Sequence, residues 1–110
     1  MKEHSMRKVA IVTGASSGIG EALALAMAAQ GTHVVLVARS VDRLTALATR
    51  IESAGGRATV LPVDLASPGA AQKLFDEVER RALPVDTLVN NAGFGFYGPF
   101  EDRKSTRLNS

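Results

Sequence analysis

Short, continuous apolar runs alternate along this chain with longer segments in which apolar residues recur at helical spacing. The first run, Val9-Ala10-Ile11-Val12, predicts a strand at about 8–13. In the Ala/Leu-rich stretch after it, Leu23, Met27 and Gln30, or Ala24, Ala28 and Gly31, repeat with the period of a helix at about 18–30, which Gly31 stops. The small side chains of that helix suit close packing on a sheet. His33 to Ala38 reads His-Val-Val-Leu-Val-Ala, as a strand covered on both faces should. Ser40 or Asp42 can cap a helix at about 41–54 with Leu44, Leu47, Ala48 and Ile51 on one face, ended by Gly55-Gly56. A third strand is expected from Arg57 to about Val63. Ser67 then caps a helix with Pro68 in its first position, running to about Leu83 through Ala71, Leu74, Phe75 and Val78. Val85 to Asn90 reads as a fourth strand.

Strands alternating with helices through short connections make a parallel sheet with right-handed crossovers. Strands that are apolar throughout require helices on both faces. The expected architecture is therefore α/β, the N-terminal half of a doubly wound parallel sheet in the order 3-2-1-4. Its switch point falls between the first and fourth strands. The loops at 13–20 and 90–95 both end there, above the strand C-termini, where such sheets bind ligands.

Composition narrows the function classes. The chain has 110 residues, enough for one small domain, with 45% hydrophobic residues and a mean hydropathy of +0.07, as in a soluble globular protein. It has no cysteine, and its two histidines, His4 and His33, are too far apart in sequence to suggest a metal site. Met1 to Lys8 has no apolar core and is not a secretory signal, and no apolar stretch approaches a membrane span. A cytoplasmic protein without a membrane partner is expected. The formal charge of +2 arises wholly in residues 102–110, where Arg103, Lys104 and Arg107 face Asp102 alone. Residues 1–101 are neutral overall, with scattered basic positions, so nucleic acid is not an expected partner.

The candidate chemistry lies in Thr13-Gly14-Ala15-Ser16-Ser17-Gly18-Ile19-Gly20, a strand end, a glycine-rich turn and a helix start. This is how a backbone cradles a pyrophosphate. Gly14 permits the sharp turn, Gly18 lets the main chain approach phosphates without a Cβ in the way, and Gly20 lets the helix lie close to the sheet. The helix amides and dipole then face the anion. A Gly/Ser-rich connector that binds nothing is the plainer alternative. The spacing differs from Gly-x-Gly-x-x-Gly, and a P-loop would need Lys and then Ser or Thr after the last glycine, where this chain has Glu21.

Together with Asp64-Leu65 and Asn90-Asn91-Ala92-Gly93, the glycine loop resembles the short-chain dehydrogenase/reductase family, in order and spacing, from residue 8 to about 101. The resemblance implies a Rossmann-like fold, a nicotinamide cofactor across the strand C-termini, and hydride transfer to or from a carbonyl or alcohol carbon. It implies that Gly14, Ala15, Ser16, Ser17, Gly18, Ile19 and Gly20 line the phosphates. Asp64 would accept a hydrogen bond from the adenine amino group beside the Leu65 amide, although a turn role explains an Asp at a strand end equally well. Asn90, Ala92 and Gly93 would line the ribose side. The family's proton-transfer residues are a Ser, an Asn, and a Tyr and Lys separated by three residues. All are expected beyond residue 110. Tyr97 is not that tyrosine, because Glu101 stands where the lysine would be. No catalytic residue is therefore assigned.

Cofactor choice turns on the end of the second strand. An acidic residue there would bind a ribose 2′-hydroxyl and repel a 2′-phosphate. This chain has Ala38, then Arg39 and Ser40, a charged fork and a hydroxyl suited to phosphate, which favours NADP over NAD. Ser17 departs from the basic residue that often adds a second phosphate contact. A small carbonyl or alcohol substrate and a homo-oligomeric parent are expected. A non-catalytic dinucleotide sensor on the same fold is the alternative. A methyltransferase would favour acidic residues at the ends of the first two strands, against Thr13 and Ala38. Residues 102–110 break the pattern, and they back-translate into a string resembling a sequencing-library adapter. Residues 1–101 are accordingly read as a partial cofactor-binding domain and 102–110 as a foreign tail.

Overall fold

Two strands buried at every position, β1 (Val9–Thr13) and β2 (His33–Ala38), form the centre of a four-stranded parallel sheet. The computed structural model describes residues 8–91. Beyond β2 lies β3 (Arg57–Pro62), and on the other side of β1 lies β4 (Thr87–Asn90), giving the order β3-β2-β1-β4. The expected 3-2-1-4 arrangement is the one observed. Register aligns Thr13 with Val37 on one side and with Asn90 on the other, so the strand C-termini end level.

Helices α1 (Gly18–Ala29) and α2 (Val41–Ser53) cover one face, and α3 (Ala70–Arg80) covers the other. On the first face Ala24 and Ala28 of α1 and Leu44, Leu47 and Ile51 of α2 meet Val12, Val34 and Leu36. On the second, Leu74 and Val78 of α3 meet Ile11, Val35 and Val37. Strand alternation decides which side chain serves which face. Gly31 stops α1 with a φ of 93°, and Ser40 is the cap of α2.

Three expectations need correction. First, β3 is not covered throughout as its apolar run suggested: Leu61, on the α3 side, is its one fully buried residue, Ala58 and Val60 pack only partly buried on the α1/α2 side, and its outer edge pairs with no strand among the described residues. Second, α3 starts at Ala70 with Gly69 at the cap position, in the left-handed region at φ 77°, and Ser67 does not cap it. The Asp64 carboxylate accepts from the Ala66 amide, and the Asp64 carbonyl accepts from that of Ser67. That local turn competes with helix and leaves Pro68 outside it. Third, β4 starts at Thr87, because the Val85 amide is spent on the Leu83 carbonyl. No helix among the described residues is long and apolar enough to cross a membrane, and these residues hold no metal-ligating cluster.

Candidate functional site

The chain leaves β1 through Gly14, whose φ of 65° turns it sharply over the sheet. The Ala15 amide returns to the Val37 carbonyl at 3.2 Å, anchoring the loop to the end of β2. Ser17 caps α1. Its Oγ donates to the Gly14 carbonyl at 2.9 Å and accepts from the Gly20 amide at 3.2 Å. The cap thus uses the Gly20 amide, whereas no described residue accepts from the amides of Gly18 or Ile19. These are the donors left for an anion at the start of α1.

The glycines divide the work. A Cβ on Gly20 would lie 2.2 Å from the Gly14 carbonyl oxygen and 2.9 Å from Asn91 Nδ2, so the crossing of helix and turn needs a glycine. A Cβ on Gly18 would meet nothing within 4 Å, so the fold does not require glycine there. What Gly18 leaves open is space on the solvent side, next to the free amides. Ile19 stands 70% exposed beside it.

From the opposite side, β4 holds the loop. Thr13 Oγ1 lies 3.2 Å from Asn90 Oδ1 and 3.3 Å from the Val89 carbonyl, which joins β1 to β4 at the switch point. Asn91 Nδ2 donates to the Gly14 carbonyl at 3.2 Å and to Ser17 Oγ at 3.0 Å. The sequence places Asn91 within a motif but by itself gives no sign of its role. The register of Thr13 with Asn90 is the signal, since it brings the next residue level with the loop. Replacing Asn91 by alanine should lower stability by about 1–2 kcal/mol, for two lost hydrogen bonds at a half-buried site, read as a shift in the urea midpoint.

At the end of β2, Arg39 is exposed and has no partner among the described residues. Ser40 Oγ accepts from the Arg43 amide at 3.4 Å, which occupies a lone pair and leaves its proton to donate. The Val63 amide donates to the Ala38 carbonyl at 3.1 Å, bringing Asp64 to the same edge of the sheet. Asp64 serves the turn described above through one carboxylate oxygen, and Leu65 packs half-buried against the α3-side cluster. Ala92 and Gly93 lie outside the described residues. Sequence reasoning also missed Arg43, whose Nη1 reaches the Ser16 carbonyl at 3.1 Å. Its place in the first turn of α2, four residues after Arg39, sets it near the end of β2, but the contact itself spans 27 residues of sequence and leaves no local pattern.

The strand C-termini therefore bring together a loop with free amides, an open position at Gly18 and a free guanidinium about one crossover away. That set fits the diphosphate and adenosine end of a nucleotide. A model of the short chain dehydrogenase family matches residues 8–110. A short chain dehydrogenase of Pseudocercospora fijiensis is 46% identical over 95 residues, 86% of this chain and 31% of that protein. Among solved structures, a metagenomic short-chain oxidoreductase in complex with NADP is 43% identical with a TM-score of 0.73, over 83% of this chain and 41% of that one. L-sorbose reductase from Gluconobacter frateurii, complexed with NADPH and L-sorbose, is 41% identical with a TM-score of 0.73, over 87% of this chain and 37% of that one. The chain spans about a third of the length of the curated relatives it matches.

Proposed function

The chain belongs to the short-chain dehydrogenase family, and we propose that the whole protein transfers a hydride between NADP(H) and a carbonyl or alcohol carbon. The observation that carries this reading is the glycine loop, with its two unused amides beside an open Gly18. The Gly18 and Ile19 amides would hold the diphosphate, and Arg39 with Ser40 would hold the adenosine ribose phosphate. Asp64 would take the adenine amino group with the carboxylate oxygen its turn does not use. Asn90, Ala92 and Gly93 would line the ribose nearer the reacting ring. The cofactor supplies the hydride chemistry, and this part of the protein binds and orients it. Residues 1–101 form the cofactor-binding part in this reading, 102–110 are foreign to it, and the proton-transfer residues come later than residue 110. The protein is then cytoplasmic, a homo-oligomer, and acts on a small carbonyl or alcohol.

Gly18→Ala tests the reading directly. Its unliganded melting temperature should stay within about 2 °C of the parent, since the added methyl meets nothing and alanine favours helix. NADPH affinity, followed by the enhancement of nicotinamide fluorescence, should fall by about tenfold or more as the methyl fills the space a phosphate would take. Undiminished affinity would put the phosphates elsewhere.

A further inference from the structure

We propose that Arg43 is a second specificity-determining residue for a 2′-phosphate, supplied from α2 in place of the basic residue that the glycine loop lacks. The inference rests on the NADP reading above. The loop between Gly14 and Gly20 contains no cation, having half-buried Ser16 and exposed Ser17 where one could stand. Arg39, the one basic residue at the end of β2, is exposed and unpaired among the described residues, and a single guanidinium does not neutralise a dianionic phosphate. Arg43 closes that deficit by geometry. Its backbone amide is tied to Ser40 Oγ at 3.4 Å, and its Nη1 is tied to the Ser16 carbonyl at 3.1 Å. The side chain therefore spans from the end of β2 to the glycine loop, across the gap that the adenosine ribose would occupy. One N–H is committed to Ser16, and the rest of the fork has no partner among the described residues. Holding one corner of a guanidinium restrains its plane, so that less side-chain entropy is lost when the other donors meet an anion.

The surroundings agree. Arg43 lines a shallow cleft of about 320 Å³ with Ala15, Ser16, Glu21, Leu47 and Arg50. The acidic member of that cleft, Glu21, is paired with Arg50 at 2.5 Å, so Arg43 has no carboxylate partner there. An arginine that leans over a phosphate-type loop without an acidic partner is available to an anionic ligand.

The test compares Arg43→Gln, Arg43→Lys and the parent protein for binding of NADPH, NADH and adenosine 2′,5′-bisphosphate by calorimetric titration, with melting temperatures measured without ligand. Arg43→Gln should weaken NADPH and the bisphosphate by about tenfold, leave NADH within about twofold, and leave the unliganded melting temperature unchanged. Arg43→Lys, which keeps the charge and loses the fork, should fall between the two and guards against a folding defect in the glutamine variant. Equal losses for NADPH and NADH would make Arg43 a support for the loop alone, and no loss for either would make its contact incidental. Both outcomes overturn the proposal. A parent protein that binds neither dinucleotide, or prefers NADH, would instead fail the NADP reading itself.

Discussion

Gly20→Ala should destabilise the protein by about 3 kcal/mol, at the upper end of what overpacking a rigid site costs. The added Cβ would stand 2.2 Å from a carbonyl oxygen of the backbone, at Gly14, where no side-chain rotamer can give way. Gly14 cannot retreat easily. Its φ of 65° is set by the turn, and its carbonyl already receives the Ser17 amide, Ser17 Oγ and Asn91 Nδ2. Relief would require α1 to tilt away from β1 and open the cluster in which Ala24 and Ala28 are packed. The measurement is the urea midpoint of the variant against that of Gly18→Ala. A fall confined to Gly20→Ala would separate the glycine that the fold needs from the one a ligand would need. Equal midpoints would mean that the turn is far softer than its hydrogen bonds indicate.

Arg39→Ala should cost NADPH about 1.5–3 kcal/mol of binding free energy, the worth of hydrogen bonds to a charged group, and change NADH by no more than about twofold. Because the side chain is exposed and bonds to no described residue, its removal should leave the fold untouched. Paired titrations with NADPH and NADH read the difference, and parallel losses would remove Arg39 from any role in choosing between them. Introducing an acidic residue to reverse the preference is better done at Arg39 than at Ala38. Ala38 is 9% exposed and belongs to the α1/α2-side cluster, where a carboxylate would also disturb packing.

The elements that local pattern could specify were legible in the sequence. The buried residues of α2 are Leu44, Leu47, Ala48 and Ile51, as its period requires, and β2 runs from His33 to Ala38 because both its faces are covered. The glycine loop was legible for the same reason, since a strand, a turn and a helix start follow one another within a few residues. Where two local signals competed, the reading failed. Ser67 and Pro68 resemble a helix start, but the Asp64 turn captures the backbone first, and Gly69 in a left-handed conformation opens the helix instead. The parts of the site that went unread are long-range. Arg43 reaches Ser16 across 27 residues and Asn91 reaches Ser17 across 74, distances at which no spacing rule operates.

The clasp between β4 and the glycine loop also bears on the order in which the protein assembles. The pairings of β1 with β2 and of β2 with β3 join residues 24 apart, as in Val9 with His33 and His33 with Arg57, whereas β1 meets β4 across 77, as in Ala10 with Thr87. Closing the longer loop costs more chain entropy, so the β1–β2–β3 unit with α1 and α2 should form early and β4 should dock late. Asn91 and Asn90 arrive only with β4. Until then, the turn has its own Ser17 cap and the Ala15 tie to β2 but not the two Asn91 hydrogen bonds, and the loop is held from one side only. The cradle is thus among the last features to set during folding. Changes at Asn91 should show mainly as faster unfolding, with the rate of folding left nearly as it was.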